Sequence, residues 1–267
     1  MPSDKMISKK MISKKDSGVG WMILNNPERH NAISLEMWDA ALEIMADFST
    51  DPGVRVMVIT GAGGKAFASG ADISKFKDER QEAQAVAHYQ ETTQRAYAAI
   101  QAMRIPTIAM VRGYCIGGGT AVAVCCDIRI CTENAKFGIP AAKLGLGYGL
   151  QRAIPLVDLV GPAYAKEMFF TGRQFDASEA RQMGLVNRVV ANDALEAAVA
   201  ELARTIAENA PLTVRAAKQV VGELLKDESQ RDIAATERAV LACFASNDYR
   251  EGQAAFMEKR KPRFTGS

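Results

Sequence analysis

Twice in its first half, this chain runs a short stretch of apolar residues into a cluster of glycines. Val56-Met57-Val58-Ile59-Thr60 opens onto Gly61-Ala62-Gly63-Gly64, and Ile105 to Val111 leads through Gly113 to Gly117-Gly118-Gly119. Short apolar runs bounded by turn formers predict strands that are buried. Two further strands are expected over 19–25 and 127–131. Leu35, Trp38, Leu42, Met45 and Phe48 recur at helical spacing and predict a helix over 35–48 with Ser34 as its N-cap. A second helix is expected over 88–103, and a third from Gly118 to about Cys125. The polar stretch from Asp72 to Gln84 reads as a mobile loop or frayed helix. Beyond about residue 200 only helical patterns remain, over 196–208, 211–225, 232–245 and 249–259. Strands and helices in alternation, then helices alone, predict an α/β core with an all-helical C-terminal region.

Composition excludes several classes of function. The chain has 267 residues, 48% of them apolar and 24% charged, which suits a protein that buries a sizeable core. A formal net charge of +2 gives no electrostatic case for nucleic acid or a membrane surface. The longest apolar run, Ile116 to Cys126, is stopped by Asp127 and is far too short to span a bilayer. The Lys-rich N-terminus lacks an apolar stretch behind it, so no secretory signal is expected and the cytoplasm is the predicted location. The cysteines form no Cys-x-x-Cys pair and there are 2 histidines, so no metal site is expected. Cys115, Cys125, Cys126 and Cys131 lie in apolar segments and are read as small buried hydrophobes. The direct repeat Met6-Ile7-Ser8-Lys9-Lys10 and Met11-Ile12-Ser13-Lys14-Lys15 is expected to give one copy that extends a first strand and one that frays.

Gly61-Ala62-Gly63-Gly64-Lys65-Ala66 satisfies the dinucleotide-binding pattern in letters only. That site needs a helix starting inside the glycine run. Here Ser69-Gly70 breaks any such helix, so a plain turn between two strands is expected.

Five blocks of the sequence, in order and spacing, resemble the crotonase (enoyl-CoA hydratase/isomerase) superfamily: NNPERHNAI (25–33), VMVITGAGGKAFASGADI (56–73), IPTIAMVRGYCIGGGTAVAVCCDIRICTENAKFGIPAAKLGLGYG (105–149), TGRQFDASEARQMGLVNRVV (171–190) and EGQAAFMEKRKPRF (251–264). The resemblance implies a spiral of repeated ββα units over 15–199, preceded by a partly disordered extension over 1–14. Residues 200–267 would then form a helical oligomerisation region, giving a homotrimer or hexamer. It also implies an acyl-CoA substrate, with coenzyme A present as part of that substrate and no permanently bound cofactor.

In this family two backbone N–H groups polarise the thioester oxygen, and by resemblance they belong to Ala71 and Gly118. Ala32, Ser69, Asp72 and Ile73 accompany them in the substrate-binding segments. The family's hydratases carry one Glu two residues after the glycine triplet and another directly after a Pro. Those slots here read Ala121 and Ala141, and neither can carry a proton. The resemblance thus implies a hydratase- or isomerase-type enzyme, while the residues disfavour standard hydration. Decarboxylation or hydrolysis of a carboxylated or β-keto acyl-CoA stays open, as does binding without turnover or a role as an assembly partner. Tyr148 falls where the family usually has a proline, as in methylmalonyl-CoA decarboxylase-like members. It reads either as a hydrogen-bond donor to substrate or as pocket lining. The His those decarboxylases carry beside the oxyanion-hole Ala is replaced here by a small residue. Arg29 is placed against coenzyme A phosphates or is a plain surface Arg. Phe256 and Lys259 either reach a neighbouring subunit's coenzyme A or form an amphipathic face.

Overall fold

The computed structural model describes residues 5–72 and 83–267. Its first strands are β1 (Lys5–Ser8), β2 (Met11–Asp16) and β3 (Val19–Leu24), followed by helix α1 (Leu35–Thr50). A repeating order of two strands and a helix then begins. It runs β4 (Val56–Gly61), β5 (Ala66–Ala68), α2 (Ala83–Ala102), then β6 (Thr107–Val111), β7 (Tyr114–Ile116), α3 (Gly118–Cys125). The next turn of the repeat is β8 (Ile128–Thr132), β9 (Lys136–Gly138), a 3-10 turn at Pro140–Leu144 and α4 (Leu150–Thr171). The core closes with β10 (Phe175–Asp176), α5 (Ala177–Gln182) and β11 (Arg188–Val190).

Each pair of strands is shared between two sheets. The long sheet has the order β1-β2-β3-β4-β6-β8-β11 and the short one β10-β9-β7-β5. Pairing in the long sheet is parallel from β3 onward. Parallel strands need a crossover, which α1 supplies between β3 and β4 and a short-sheet strand plus helix supplies between the later strands. The expected succession of ββα units is therefore present. α6 (Leu195–Glu208), α7 (Pro211–Leu224), α8 (Ile233–Ala245) and α9 (Asn247–Met257) follow, so the expected helical C-terminal region is also found.

Strand alternation divides the core. Along β4, Met57 and Ile59 face a cluster with Ile44, Phe48 and Phe67, while Val56 and Val58 face Ile108, Ile130, Leu195 and Val199. Both faces of the long sheet are covered, which is why its strands read as continuous apolar runs. Among the described residues, no helix is long and apolar enough to cross a membrane.

Three readings differ from the structure. Both copies of the N-terminal repeat are strands, because β2 pairs with β3 on one side and leaves an open edge that β1 closes. Ser34 occupies the N-cap of α1, but its side chain caps nothing and its buried hydroxyl has no partner. The sequence reading also gave no helix over Leu150–Thr171. That helix contains Pro155 and is broken at Gly161, with φ 72°, just before Pro162. The stretch read as a mobile loop lies, apart from its ends, outside the described residues.

Candidate active site

The two glycine turns that ended the strands come together. After β5 the chain passes through Gly70, whose φ of 107° only glycine adopts without strain. Ile33 donates to the Gly70 carbonyl at 2.8 Å and Asp72 donates to the Ile33 carbonyl at 3.1 Å. This short parallel bridge brackets Ala71 and leaves its N–H on the other side of the strand. The second turn pivots on Gly117, with φ 55° and ψ −113°, and α3 starts at Gly118. A Cβ placed on Gly70 would stand 3.6 Å from the Gly118 nitrogen, so the turns are in van der Waals contact. Neither the Ala71 N–H nor the Gly118 N–H has a partner among the described residues. The latter is one of the orphan donors every helix start leaves.

The turns are held by neighbouring hydrogen bonds, of which those of Asn31 have no sequence signal. Asn31 is fully buried, with its carboxamide accepting from Asn26 N–H at 2.9 Å and donating to the carbonyls of Ala62 and Ala66 at 2.9 and 2.8 Å. The Pro27–Arg29 turn is thereby clamped to the β4–β5 connection. Ser69 completes the clamp, its N–H donating to the His30 carbonyl at 2.9 Å and its hydroxyl to the Arg29 carbonyl at 3.2 Å. On the other turn, the Gly138 carbonyl accepts from Gly117 N–H at 2.7 Å and from the Thr120 hydroxyl at 3.1 Å. The end of β9, and with it Pro140-Ala141, is thus tied to the glycine triplet.

The structure gathers Arg29, Ala32, Ser69, Ala71, Asp72, Gly118 and Ala121 at these turns. Ala32 donates to the Arg29 carbonyl at 2.9 Å and is buried. Arg29 is largely exposed, with its guanidinium 3.9 Å from the carboxylate of buried Asp72. Ala121 is buried in α3 and Ala141 is half-buried in the 3-10 turn. Both present methyl groups. Ile73 lies outside the described residues. Phe256 and Lys259 stand instead at the end of the helical C-terminal region, with Phe256 83% exposed.

Tyr148 sits just before α4, half-buried, with its ring 4.9 Å from that of Phe169 and the Arg152 guanidinium 5.3 Å from its centroid. Its hydroxyl is buried without a hydrogen-bond partner, and burial pushes its pKa up to about 12. Tyr97, on α2, was not singled out in the sequence. A Cβ on Gly118 would stand 3.5 Å from its hydroxyl, and the Trp38 ring packs edge-on at 5.1 Å. Burial raises its pKa well above the ordinary value, with Tyr148 and Tyr89 adding to the rise. The one signal available was Tyr89, Thr93 and Tyr97 at helical spacing, which resembles ordinary packing. The four core cysteines are buried; Cys125 and Cys131 are pushed up by burial to about 12, so they are not thiolates at neutral pH.

Comparison with known proteins identifies the family. The profile of the family described as Enoyl-CoA hydratase/isomerase matches residues 14–267. A crotonyl-CoA hydratase of Syntrophomonas wolfei is 35% identical over 263 residues, covering 97% of this chain and 99% of the relative. A putative enoyl-CoA hydratase of Thermus thermophilus is 37% identical over 261 residues, covering 95% and 100%. Among solved structures, an enoyl-CoA hydratase/carnithine racemase from Magnetospirillum magneticum superposes with a TM-score of 0.93 at 36% identity, covering 99% of this chain and 97% of that one. The enoyl-CoA hydratase of Bacillus anthracis gives 0.88 at 30% identity, covering 100% and 99%. With its ββα repeats, its two apposed glycine turns and relatives matched end to end, the chain belongs to the enoyl-CoA hydratase/isomerase family of enzymes.

Proposed function

We propose that this protein binds an acyl-CoA and stabilises negative charge on the thioester oxygen through the Ala71 and Gly118 N–H groups, while hydrating enoyl-CoA slowly. One observation carries the first half of this reading. Two unpaired backbone donors lie side by side at a turn that glycines bring close. Donors fixed in advance, in a site from which water is excluded, stabilise developing oxyanion charge without reorganising. The N-terminal end of α3 adds its dipole in the same sense.

The second half rests on Ala121 and Ala141. Hydration needs a base for water and an acid for the α-carbon, and a methyl group can be neither. Each missing acid or base lowers a rate by ~10²–10⁴. Coenzyme A enters as part of the substrate, with the exposed Arg29 guanidinium suited to its phosphates. Incubation with a panel of acyl-CoA thioesters, read by mass spectrometry, identifies the reaction; a panel left wholly unbound and unchanged refutes the proposal.

We further propose assembly as a homotrimer or hexamer. Val240, Leu241, Phe244 and Phe256 are 40%, 65%, 59% and 83% exposed, an apolar face that closed symmetry would cover. Light scattering at micromolar protein is expected to give three or six subunit masses, and one subunit mass contradicts the assembly.

A further inference from the structure

At the end of the long sheet away from the glycine turns, three arginines gather. Strands β4 and β6 run parallel with Met57 opposite Thr107, and the Met57 N–H donates to the Pro106 carbonyl at 2.8 Å. That register sets Arg55 and Arg104 at neighbouring positions where the two strands begin. Helix α7 lies against the same edge, because the Lys218 ammonium donates to the Ile105 carbonyl at 3.0 Å and to the Asp127 carboxylate at 2.7 Å. Arg215 comes one helical turn before Lys218 and so shares that face of α7. Arg55 is held in place by donating to the Ala207 and Phe264 carbonyls at 2.9 and 2.8 Å. Among the described residues none of the three arginines is in an ion pair, and the nearby carboxylate of Asp127 is already taken by Lys218. The Arg215 Nε–H is shut off from solvent and bonded to nothing.

A generally basic chain does not explain the cluster, since the formal net charge is only +2. Like charges brought together without a counter-charge oppose folding, and a buried N–H without an acceptor adds to the cost. Burial lowers the Arg215 pKa, and the charges of Arg104 and then Arg55 lower it further. Helix ends account for only part of the arrangement. Arg104 follows the C-terminal end of α2, where a cation is favoured, but Arg215 stands in the second turn of α7, toward the end whose dipole favours an anion. An oxyanion held among the three guanidinium groups removes both costs. Three planar forks suit a multiply charged phosphate better than a lone carboxylate. We propose that Arg55, Arg104 and Arg215 form a binding site for a phosphate group, separate from the acyl-CoA site. Strand β4 stands between the two, with Arg55 before its first residue and the glycine turn after its last. At ~3.3 Å per residue that strand spans about 20 Å. The phosphate group thus takes no part in the chemistry at Ala71 and Gly118.

The test is calorimetry on the full-length protein with inorganic phosphate, pyrophosphate and succinate at one ionic strength, repeated for Arg104→Gln and Arg215→Gln. Neither substitution removes a hydrogen bond or ion pair found among the described residues, so both variants should fold. The wild-type protein is expected to bind phosphate or pyrophosphate, and each substitution should weaken that binding at least about tenfold, the loss for one hydrogen bond to a charged group. Tighter binding of phosphate identifies the ligand as a single phosphate group, and tighter binding of pyrophosphate identifies it as a diphosphate of the kind a nucleotide carries. Arg29→Ala should leave the affinity unchanged, because Arg29 lies at the other end of the sheet. Loss of binding in that variant would put the anion at the acyl-CoA site and overturn the proposal. Failure of the wild type to bind either phosphate overturns it too, as does binding that both Arg104→Gln and Arg215→Gln keep. Succinate bound as tightly as phosphate would show a response to charge alone, and the assignment to phosphate would fall.

Discussion

Ala71 and Gly118 offer backbone N–H groups, whereas Ala121 and Ala141 offer only methyl groups, and the two pairs sit within one small region of the fold. The first pair is fixed by turn geometry: a parallel bridge to Ile33, a left-handed Gly70 and a helix start after Gly117. Any side chain at position 71 except that of proline would leave that donor in place. The second pair depends wholly on side-chain identity, and a single substitution at each slot adds or removes a proton carrier. A family fold can thus keep the charge-stabilising half of its chemistry while the acid–base half changes. Fold likeness carries over backbone geometry and says little about side-chain chemistry.

The comparison breaks most readily at Gly118. Proline suits the first position of a helix, so Gly118→Pro should fold while deleting one N–H. Turnover of the best substrate in the panel should fall about 10²–10³-fold, as for loss of one oxyanion donor elsewhere. Steady-state kinetics beside a thermal melt checks this, and an unchanged rate in a folded variant removes Gly118 from the site.

Asn31 sharpens the comparison from the structural side. Its carboxamide makes three hydrogen bonds, two of them fully buried, that tie the Pro27–Arg29 turn to the β4–β5 connection, and its φ of 55° is left-handed. Asn31→Ala should cost about 2–4 kcal/mol of stability, from the stranded partners and the strained backbone. A melting temperature that does not move would show that the clamp is not what fixes the turn. Arg29→Ala should have the smallest effect. An exposed cation contributes about 0.2–1 kcal/mol, so KM for an acyl-CoA should rise about two- to fivefold with kcat unchanged. No change in KM would make Arg29 an ordinary surface residue that pairs only with Asp72.

The same contrast between backbone and side chain explains what the sequence disclosed. The strands at Val56–Gly61 and Thr107–Val111 were legible because burial on both faces leaves an unbroken apolar run. The helices after residue 195 were legible from their amphipathic spacing. The short-sheet strands β5, β7 and β9 are 3 residues each, shorter than any period that sequence can display. Helix α4 was hidden by Pro155 and by the Gly161-Pro162 break, which read as terminators. At the site, the glycines at 70 and 117 were legible because turn geometry demands them. Tyr97 was not, because a buried aromatic at helical spacing looks the same whether it packs or binds. Only its approach to Gly118, a contact between residues on successive helices, distinguishes it.

The most direct measurement sets binding against turnover for one thioester. Crotonyl-CoA binding by calorimetry and crotonyl-CoA hydration by absorbance would be followed on the same preparation. The donors at Ala71 and Gly118 predict saturable binding. The methyl groups at Ala121 and Ala141 predict hydration slower than that of a two-glutamate hydratase by at least ~10²–10⁴, the loss for one missing acid or base. Binding together with hydration at an ordinary hydratase rate would contradict the account, because another group would then have to carry the protons.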